Sequence, residues 1–166
     1  MFVRTAGERD LDAVRALLVE TWHATYDAIY GAAKVTEITD EWHSIASLKR
    51  RLIQPNADFL VADDGKHLGG VAYASAKAGG KTVLLHQLYV LPAFQGRGIG
   101  GMLLDEIIES FPDAELFRLE VEEANARAIG VYLSQGFLQT GRTENCGTAE
   151  SGLPALIFER SVVGRP

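Results

Sequence analysis

A glycine-rich turn, Gln95–Gly101, contains the residue types in this chain that are best suited to hold a phosphate. It follows the apolar run 83–90, which is typical of a buried strand, and leads into 102–109, where apolar residues recur at helical spacing. The first N–H groups of a helix have no internal partner and carry the positive end of its dipole. Glycine lets an anion approach those donors without a side chain in the way. The arrangement therefore predicts a phosphate or pyrophosphate site.

The turn also matches a second nucleotide-binding pattern in part. Gly96, Gly98 and Gly101 satisfy G-x-G-x-x-G, and Glu120 follows about 20 residues later, where a dinucleotide site has its ribose-binding acid. However, residues 91–95 separate the turn from its strand and three strands come earlier, which disfavours a Rossmann site. No Lys-Ser or Lys-Thr follows the glycines, so a P-loop is excluded. Two interpretations stay open: a pyrophosphate cradle, in which Gln95 takes the place of an arginine, and a turn without a ligand.

The elements that position this turn follow from the apolar spacing. Strands are predicted at 2–5, 59–62, 69–74, 83–90, 116–122, 137–142 and 156–160, and helices at 10 to about 25, 102–109 and 125–135, with a mostly helical segment from 22 to 55. Glycine turns join the strands around 65 and 79, and Gly136 closes the last helix. This order predicts one α/β domain over residues 1–166, antiparallel at its ends with a β-α-β crossover in its middle.

Composition narrows the class of protein. The net charge of −6 and the scattered basic residues disfavour a nucleic-acid surface, and we interpret the run 49–51 (Lys-Arg-Arg) as the solvated end of a helix. A single cysteine, Cys146, excludes an internal disulfide and a cysteine metal cluster, and no histidine or acid spacing predicts a metal site. No signal peptide or membrane-spanning run is evident, so we expect a cytoplasmic protein without membrane partners.

Two motifs together resemble one family. The segment 95–100 is similar to the acetyl-CoA pyrophosphate motif of the GCN5-related N-acetyltransferases (GNAT superfamily), and 88–92 (Leu-Tyr-Val-Leu-Pro) resembles the strand that precedes it. Independently, Asn125, Tyr132 and the pair Gly136-Phe137 resemble that superfamily's Asn…Tyr…Gly-Phe segment. The resemblance implies a three-layer α/β fold. Its central sheet is mixed, mostly antiparallel and twisted, with six or seven strands and about four flanking helices.

The resemblance also implies direct transfer of acetyl from acetyl-CoA to an amine, through one tetrahedral intermediate. The cofactor-binding residues would be Leu88, Tyr89, Val90, Gln95, Gly96, Arg97, Gly98, Ile99, Gly100, Asn125 and Tyr132. A backbone N–H at Val90 or its neighbour Leu91 would polarise the thioester carbonyl. Tyr132 would protonate the leaving thiolate, although a core tyrosine has the same pattern. Asn125 has a second interpretation as a helix N-cap.

A protonated amine cannot attack, so the reaction needs a base. Glu120 is the first candidate, because its spacing to Asn125 and Tyr132 resembles the ribosomal-protein N-terminal acetyltransferase branch. Alternation places Arg118, Glu120 and Glu122 on one strand face, so an ion-paired polar face is the alternative. His86 is the reserve candidate, although a lone histidine at that position is more often buried in the core.

Acceptor specificity is expected from the first helical region and from the loop 143–152. Aromatic side chains that could line a cation pocket, or simply form core, are Trp22, Tyr26, Tyr30 and Trp42. Glu144, Glu150 and the net charge favour a cationic amine, and 22–26 has some likeness to polyamine-type members. Protein N-termini and aminoglycosides stay open as acceptors, and a homodimer is possible. The alternatives to an enzyme of this kind are a non-catalytic acyl-CoA-binding domain and a dinucleotide-dependent oxidoreductase.

Overall fold

The computed structural model describes residues 1–146 and 151–162. Its strands are β1 (Phe2–Thr5), β2 (Ala57–Asp63), β3 (Leu68–Ala76), β4 (Thr82–Val90), β5 (Leu116–Val121), β6 (Leu138–Thr143) and β7 (Ala155–Ser161). Its α-helices are α1 (Leu11–Tyr30), α2 (Ala32–Trp42), α3 (Ile45–Ile53), α4 (Ile99–Ser110) and α5 (Ala126–Ser134). The strands form one sheet in the order β1-β2-β3-β4-β5-β7-β6.

The sheet is mixed, as the sequence predicts. β1 pairs with β2, β5 with β7, and β6 with β7, all antiparallel, whereas β4 and β5 are parallel over the register Thr82↔Leu116 to Leu85↔Leu119. The connection between the parallel strands contains α4, which is the predicted β-α-β crossover. The turn that resembles a dinucleotide fingerprint therefore follows the fourth strand, and the described strands do not form an open parallel sheet.

The chain divides into two compact units. The first comprises Met1–Tyr73 with Gln87–Ser110, and the second comprises Ala74–His86 with the chain from Phe111 onward. The first contains α1 to α4 and the glycine-rich turn, and the second contains β5, α5, β6 and β7. The sequence-based prediction of one domain over 1–166 stays a prediction.

Helices cover both faces of the sheet in the first unit. Val71 and Tyr73 of β3 belong to a core cluster with α1 and α3. Gly70 lies on the other face, where an added Cβ would come within 2.9 Å of Leu103 Cδ1 in α4. The missing side chain at Gly70 thus lets α4 pack closely on the strands, and this fixes the start of α4 beside the end of β4.

The segment 22–55 forms three helices, where the sequence predicts one mostly helical stretch. α1 continues past the predicted end near residue 25 to Tyr30, because Gly31 with φ 84° is the first residue to leave the helix. The next break is at Ser44, whose side chain accepts a hydrogen bond from the Ser47 N–H and so caps α3. These two breaks explain why five α-helices are described where about four were expected.

Across the described residues, no helix has both the length and the apolar character that crossing a bilayer requires.

Candidate functional site

The glycine-rich turn is built as an open nest of backbone donors. Gly96 and Gly98 have φ of 80° and 78°, values that other residues rarely adopt, and both are exposed. α4 begins at Ile99, so the N–H groups of 98–101 lie in its first turn, where no intrahelical acceptor exists. Within the described part of the chain, no backbone carbonyl accepts from the N–H of Gly96, Arg97 or Gly98. These free donors and the helix dipole make the turn suited to an anion.

Side chains on either side hold the turn in place. Gln95 donates from Nε2 to the Val90 carbonyl at 3.1 Å, which connects the turn to the end of β4. Its own N–H donates to the Pro92 carbonyl at 3.3 Å and closes the short turn Pro92–Phe94. Arg97 is exposed, and its guanidinium lies 5.1 Å from the centroid of the Phe94 ring. The turn therefore carries a positive side chain beside its backbone donors.

The end of β4 offers one backbone donor for a carbonyl oxygen. The Leu91 N–H already donates to the Gly69 carbonyl at 2.9 Å. Because successive N–H groups of a strand point in opposite directions, the Val90 N–H points away from β3. The described pairing of β4 with β5 covers Thr82–Leu85 and stops before Val90. Of the two donors that the sequence suggests, Val90 is the one whose N–H is directed away from that occupied edge.

The second unit contains the predicted acid and its helix. Tyr132 of α5 is 8% exposed, and its ring lies edge-on to Phe137 at 5.7 Å between centroids. Asn125 is the N-cap of α5, since its Oδ1 accepts from the Ala128 N–H at 3.2 Å. Gly136 has φ 88° and ends the helix, and the Phe137 N–H donates to the Tyr132 carbonyl at 3.0 Å. The cap role of Asn125 is therefore present, and its contact with a coenzyme stays a prediction.

The base candidates differ in their surroundings. Glu120 is exposed on β5, between the buried Leu119 and Val121. On this strand Arg118 pairs with Glu159 at 2.7 Å, and the Glu120 carboxylate acts on the thiol of Cys146. The interpretation of His86 as a core residue is wrong: His86 is exposed, and its Nε2 lies 2.7 Å from Ser75 Oγ. Alternation places Val83, Leu85 and Gln87 on the buried face of β4 and His86 on the other.

Cys146 is not a nucleophile in this arrangement. Burial, together with the carboxylates of Glu120 and Glu122, raises the pKa of its thiol to about 12. A thiol with such a pKa is protonated at neutral pH, and the thiolate is the reactive form. Since Cys146 is the chain's one cysteine, an acetyl-cysteine intermediate is disfavoured.

The structure describes part of the regions from which we expect acceptor specificity, namely the first helices and the loop 143–152. The four aromatic residues, three on α1 and Trp42 at the end of α2, form a series of ring contacts. The ring centroids are 4.6 Å apart for Trp22–Tyr26, 5.8 Å for Tyr26–Tyr30 and 5.7 Å for Trp22–Trp42. Trp22 and Tyr26 are buried, and a role of the four rings in an acceptor pocket stays a prediction. Glu144 is exposed, and Glu150 lies outside the described residues.

Sequence reasoning missed Arg51. The run 49–51 is not solvated throughout, because Arg51 is half-buried and its Nη1 atom is buried. Arg51 donates from Nη2 to the Trp42 carbonyl at 2.6 Å, and its charge lies 5.7 Å from the Tyr73 ring centroid. A signal was present in the sequence, because Arg51 lies three residues after Leu48 and thus on the face of α3 that Leu48 buries.

Comparison with known proteins gives one consistent result. A sequence model of the acetyltransferase (GNAT) family matches residues 12–137. The N-alpha-acetyltransferase RimI of Mycobacterium tuberculosis is 36% identical over 106 residues, which are 61% of this chain and 65% of that protein. The [ribosomal protein bS18]-alanine N-acetyltransferase of Salmonella typhimurium is 34% identical over 102 residues, which are 60% of this chain and 66% of the relative. The matched segments thus span about two thirds of the length of these two relatives.

The fold has a solved counterpart. The crystal structure of PaiA N-acetyltransferase from Thermoplasma acidophilum, in complex with coenzyme A, superposes with a TM-score of 0.84 and covers 96% of this chain and 98% of that one. The identity is 23%, so this similarity concerns the fold alone.

Proposed function

The chain belongs to the acetyltransferase (GNAT) family, and from that premise we propose that it transfers the acetyl group of acetyl-CoA to a primary amine by direct attack in a ternary complex. The observation that carries the proposal is the glycine-rich turn, with its free backbone donors at the start of α4. The donor set fits a pyrophosphate, and the PaiA structure of the same fold contains coenzyme A.

We assign the coenzyme side of the site to residues 88–90 and 95–100. The amides of 96–100 and the Arg97 side chain bind the pyrophosphate, so the binding of the phosphates needs no metal. Gln95 acts by connecting the turn to β4 through the Val90 carbonyl. Leu88 and Tyr89 line the pantetheine arm, and the Val90 N–H donates to the thioester oxygen as negative charge develops on it.

We assign the proton transfers to the second unit. Glu120, directly or through water, accepts the proton of the attacking amine, with His86 as the reserve base. Tyr132 donates a proton to the sulfur as the carbon–sulfur bond breaks and the carbon–nitrogen bond forms. Asn125 both caps α5 and contacts the coenzyme. Because the Cys146 thiol is protonated at neutral pH, the proposal needs no covalent enzyme intermediate.

Two acceptor classes follow from different observations. The net charge of −6 and the exposed Glu144 support a small cationic amine such as a polyamine. The relatives named for RimI and for the alanine of ribosomal protein bS18 support a peptide N-terminus. A homodimer and a cytoplasmic location stay predictions.

The test is a thiol-release assay with acetyl-CoA and a panel of putrescine, spermidine, an aminoglycoside and peptides with free N-termini. We expect coenzyme A release with at least one acceptor, and the loss of most of that rate in Glu120→Gln but not in His86→Gln. Binding of acetyl-CoA without release for any amine would contradict the enzyme and favour a non-catalytic acyl-CoA-binding domain. Binding of NAD in preference to acetyl-CoA would contradict the coenzyme assignment.

A further inference from the structure

A cluster of polar side chains is buried in the unit that contains the glycine-rich turn. Trp22, His43, Arg51 and Gln87, hereafter the Arg51 cluster, meet at the His43 ring. His43 Nδ1 lies 3.3 Å from Arg51 Nη2 and 3.3 Å from Gln87 Nε2. The Trp22 ring centroid is 5.8 Å from that of His43. Exposure is 6% for Trp22, 2% for His43 and 6% for Gln87, so bulk solvent does not satisfy their polar atoms.

The hydrogen bonds define the state of His43. Burial, and then the charges of Arg51 and Arg15, lower its pKa to about 3, so the ring is neutral at physiological pH. Two N–H donors, Arg51 Nη2 and Gln87 Nε2, lie at Nδ1, and this arrangement favours the tautomer in which Nδ1 is the acceptor and the ring proton resides on Nε2. His43 therefore presents an N–H donor at Nε2.

Four polar atoms of the cluster have no partner among the described residues. They are the donors Trp22 Nε1, His43 Nε2 and Arg51 Nη1, and the acceptor Gln87 Oε1. Each buried unpaired group of this kind is destabilising, so a native protein rarely keeps several together without a ligand or water. The cluster offers three donors to one acceptor, which is a composition suited to an anion.

The charge of Arg51 supports the same conclusion. Arg51 has no ion pair within 4.0 Å to any carboxylate in the described ranges 1–146 and 151–162. Its Nη1 atom is buried, whereas the charged end of an arginine is usually solvated. A buried guanidinium without a counter-charge is costly, and a ligand carboxylate with two oxygens matches its planar donors.

We propose that the Arg51 cluster binds a carboxylate of the acceptor, so that the acceptor carries both a primary amine and a carboxylate. This inference rests on the proposed function. Arg51 Nη1 and the N–H groups of His43 and Trp22 donate to the carboxylate oxygens, and Gln87 Oε1 accepts from a neighbouring N–H of the ligand. Gln87 precedes Val90 by three residues of β4, a separation on the order of 10 Å. Such a span fits the side-chain amine of a diamino acid, or the N-terminus of a peptide with an acidic residue nearby.

Matched acceptors that differ only in the carboxylate test the proposal. They are lysine against cadaverine, ornithine against putrescine, and the C-terminally amidated dipeptides Ala-Glu-NH2 against Ala-Gln-NH2, each with saturating acetyl-CoA. We expect kcat/KM at least tenfold higher for the carboxylate member of one pair, and the pair that responds identifies the source as a free diamino acid or a peptide. Equal or better turnover of the carboxylate-free members would overturn the proposal.

Two variants connect the effect to the cluster. Arg51→Gln is expected to lose at least tenfold in kcat/KM with the carboxylate acceptor and less than threefold with its carboxylate-free partner. Arg50→Gln removes the same charge from an exposed position on α3 and is the matched control, with no expected change. Trp22→Phe keeps the ring but removes a donor, and should lose the same selectivity to a smaller extent. A loss of equal size for both acceptors of a pair would identify Arg51 as structural only.

A binding measurement separates this inference from the proposed function. Both tryptophans, Trp22 and Trp42, lie at the cluster with ring centroids 5.7 Å apart, so their fluorescence reports on it. Titration with Nε-acetyl-lysine, which carries the carboxylate and is the expected product when lysine is the acceptor, should change the emission of the wild type and not that of Arg51→Gln. A change without any acetyl transfer would contradict the enzyme but keep the carboxylate site. Transfer with no selectivity and no emission change would indicate that water alone fills the cluster.

Discussion

At the scale of single residues, Tyr132 is the residue at which a substitution should lower kcat without weakening the binding of coenzyme A. Its ring is buried against Phe137, so Tyr132→Phe keeps that packing and removes only the hydroxyl. We expect kcat to fall by about 10²-fold, the lower end of what a positioned proton donor contributes, while the dissociation constant of coenzyme A changes little. Steady-state kinetics and calorimetry on the same preparation measure the two quantities. An unchanged kcat would mean that the hydroxyl has a structural role only.

Residue roles could be predicted from the sequence where the chain neighbours determine them. Asn125 was expected as an N-cap from its position before a helix, and the Ala128 N–H does donate to it. Arg51 and His86 were misjudged, because burial depends on how a helix is rotated and which strand face is covered. A run of three basic residues spans most of a helical turn, so one of them can face the core even when its neighbours are exposed.

At the scale of secondary-structure elements, the start of α1 is held by a part-buried ion pair between Arg4 and Asp10. Asp10 accepts from Arg4 Nη2 at 2.8 Å, from Arg4 Nη1 at 2.9 Å and from the Gly7 N–H at 2.7 Å. The hydrogen bond from Arg4 lowers the pKa of Asp10 from 3.8 to about 2. Since the folded value lies below the unfolded one, the stabilisation is complete above about pH 4 and is lost as the pH falls towards 2.

We therefore expect Asp10→Asn to lower the free energy of unfolding by about 2 kcal/mol at pH 7, given 1.36 kcal/mol for each pKa unit. The difference from the wild type should shrink as the pH falls below 4. Urea unfolding at pH 7 and at pH 3 measures both. Asp12→Asn is the matched control, because Asp12 is an exposed acid in the first turn of the same helix. A difference that persists unchanged at pH 3 would contradict the ionic origin of the effect.

The elements themselves follow closely from apolar spacing and turn residues. β2 and β3 were predicted from two apolar runs around Gly65, and the structure extends each by one or two residues at its ends. The segment 22–55 was predicted least well, since its helices carry weak apolar patterning. The helix breaks depend on a left-handed glycine at Gly31 and a serine cap at Ser44. Glycine and serine are also common at positions where no helix ends or begins.

At the scale of the whole molecule, strand order was the part that spacing could not supply. The sheet places β7 between β5 and β6. Local patterning does not specify this order, because strand order depends on pairing between residues that are distant in the sequence. The two glycine-containing motifs carried the family assignment instead, since each is a local backbone requirement that is visible in the sequence. The Arg51 cluster, to which we assign the acceptor's carboxylate, was not visible in this way, because it is assembled from α1, the end of α2, α3 and β4.

The central claim is that the amides of 96–100 bind the pyrophosphate of coenzyme A, and isothermal titration calorimetry tests it with two ligands and two variants. Gly98→Ala and Gly80→Ala introduce the same left-handed strain, at φ of 78° and 74°, and in neither case does an added Cβ meet a described atom within 4 Å. They should lose similar stability, about 1–2 kcal/mol.

We predict that acetyl-CoA binds the wild type and Gly80→Ala equally well and binds Gly98→Ala at least tenfold more weakly. S-acetylpantetheine lacks the pyrophosphate, so we predict that it binds all three proteins with the same weak affinity. Equal acetyl-CoA affinity in Gly98→Ala and Gly80→Ala, or an affinity for S-acetylpantetheine that matches that for acetyl-CoA, would contradict the account.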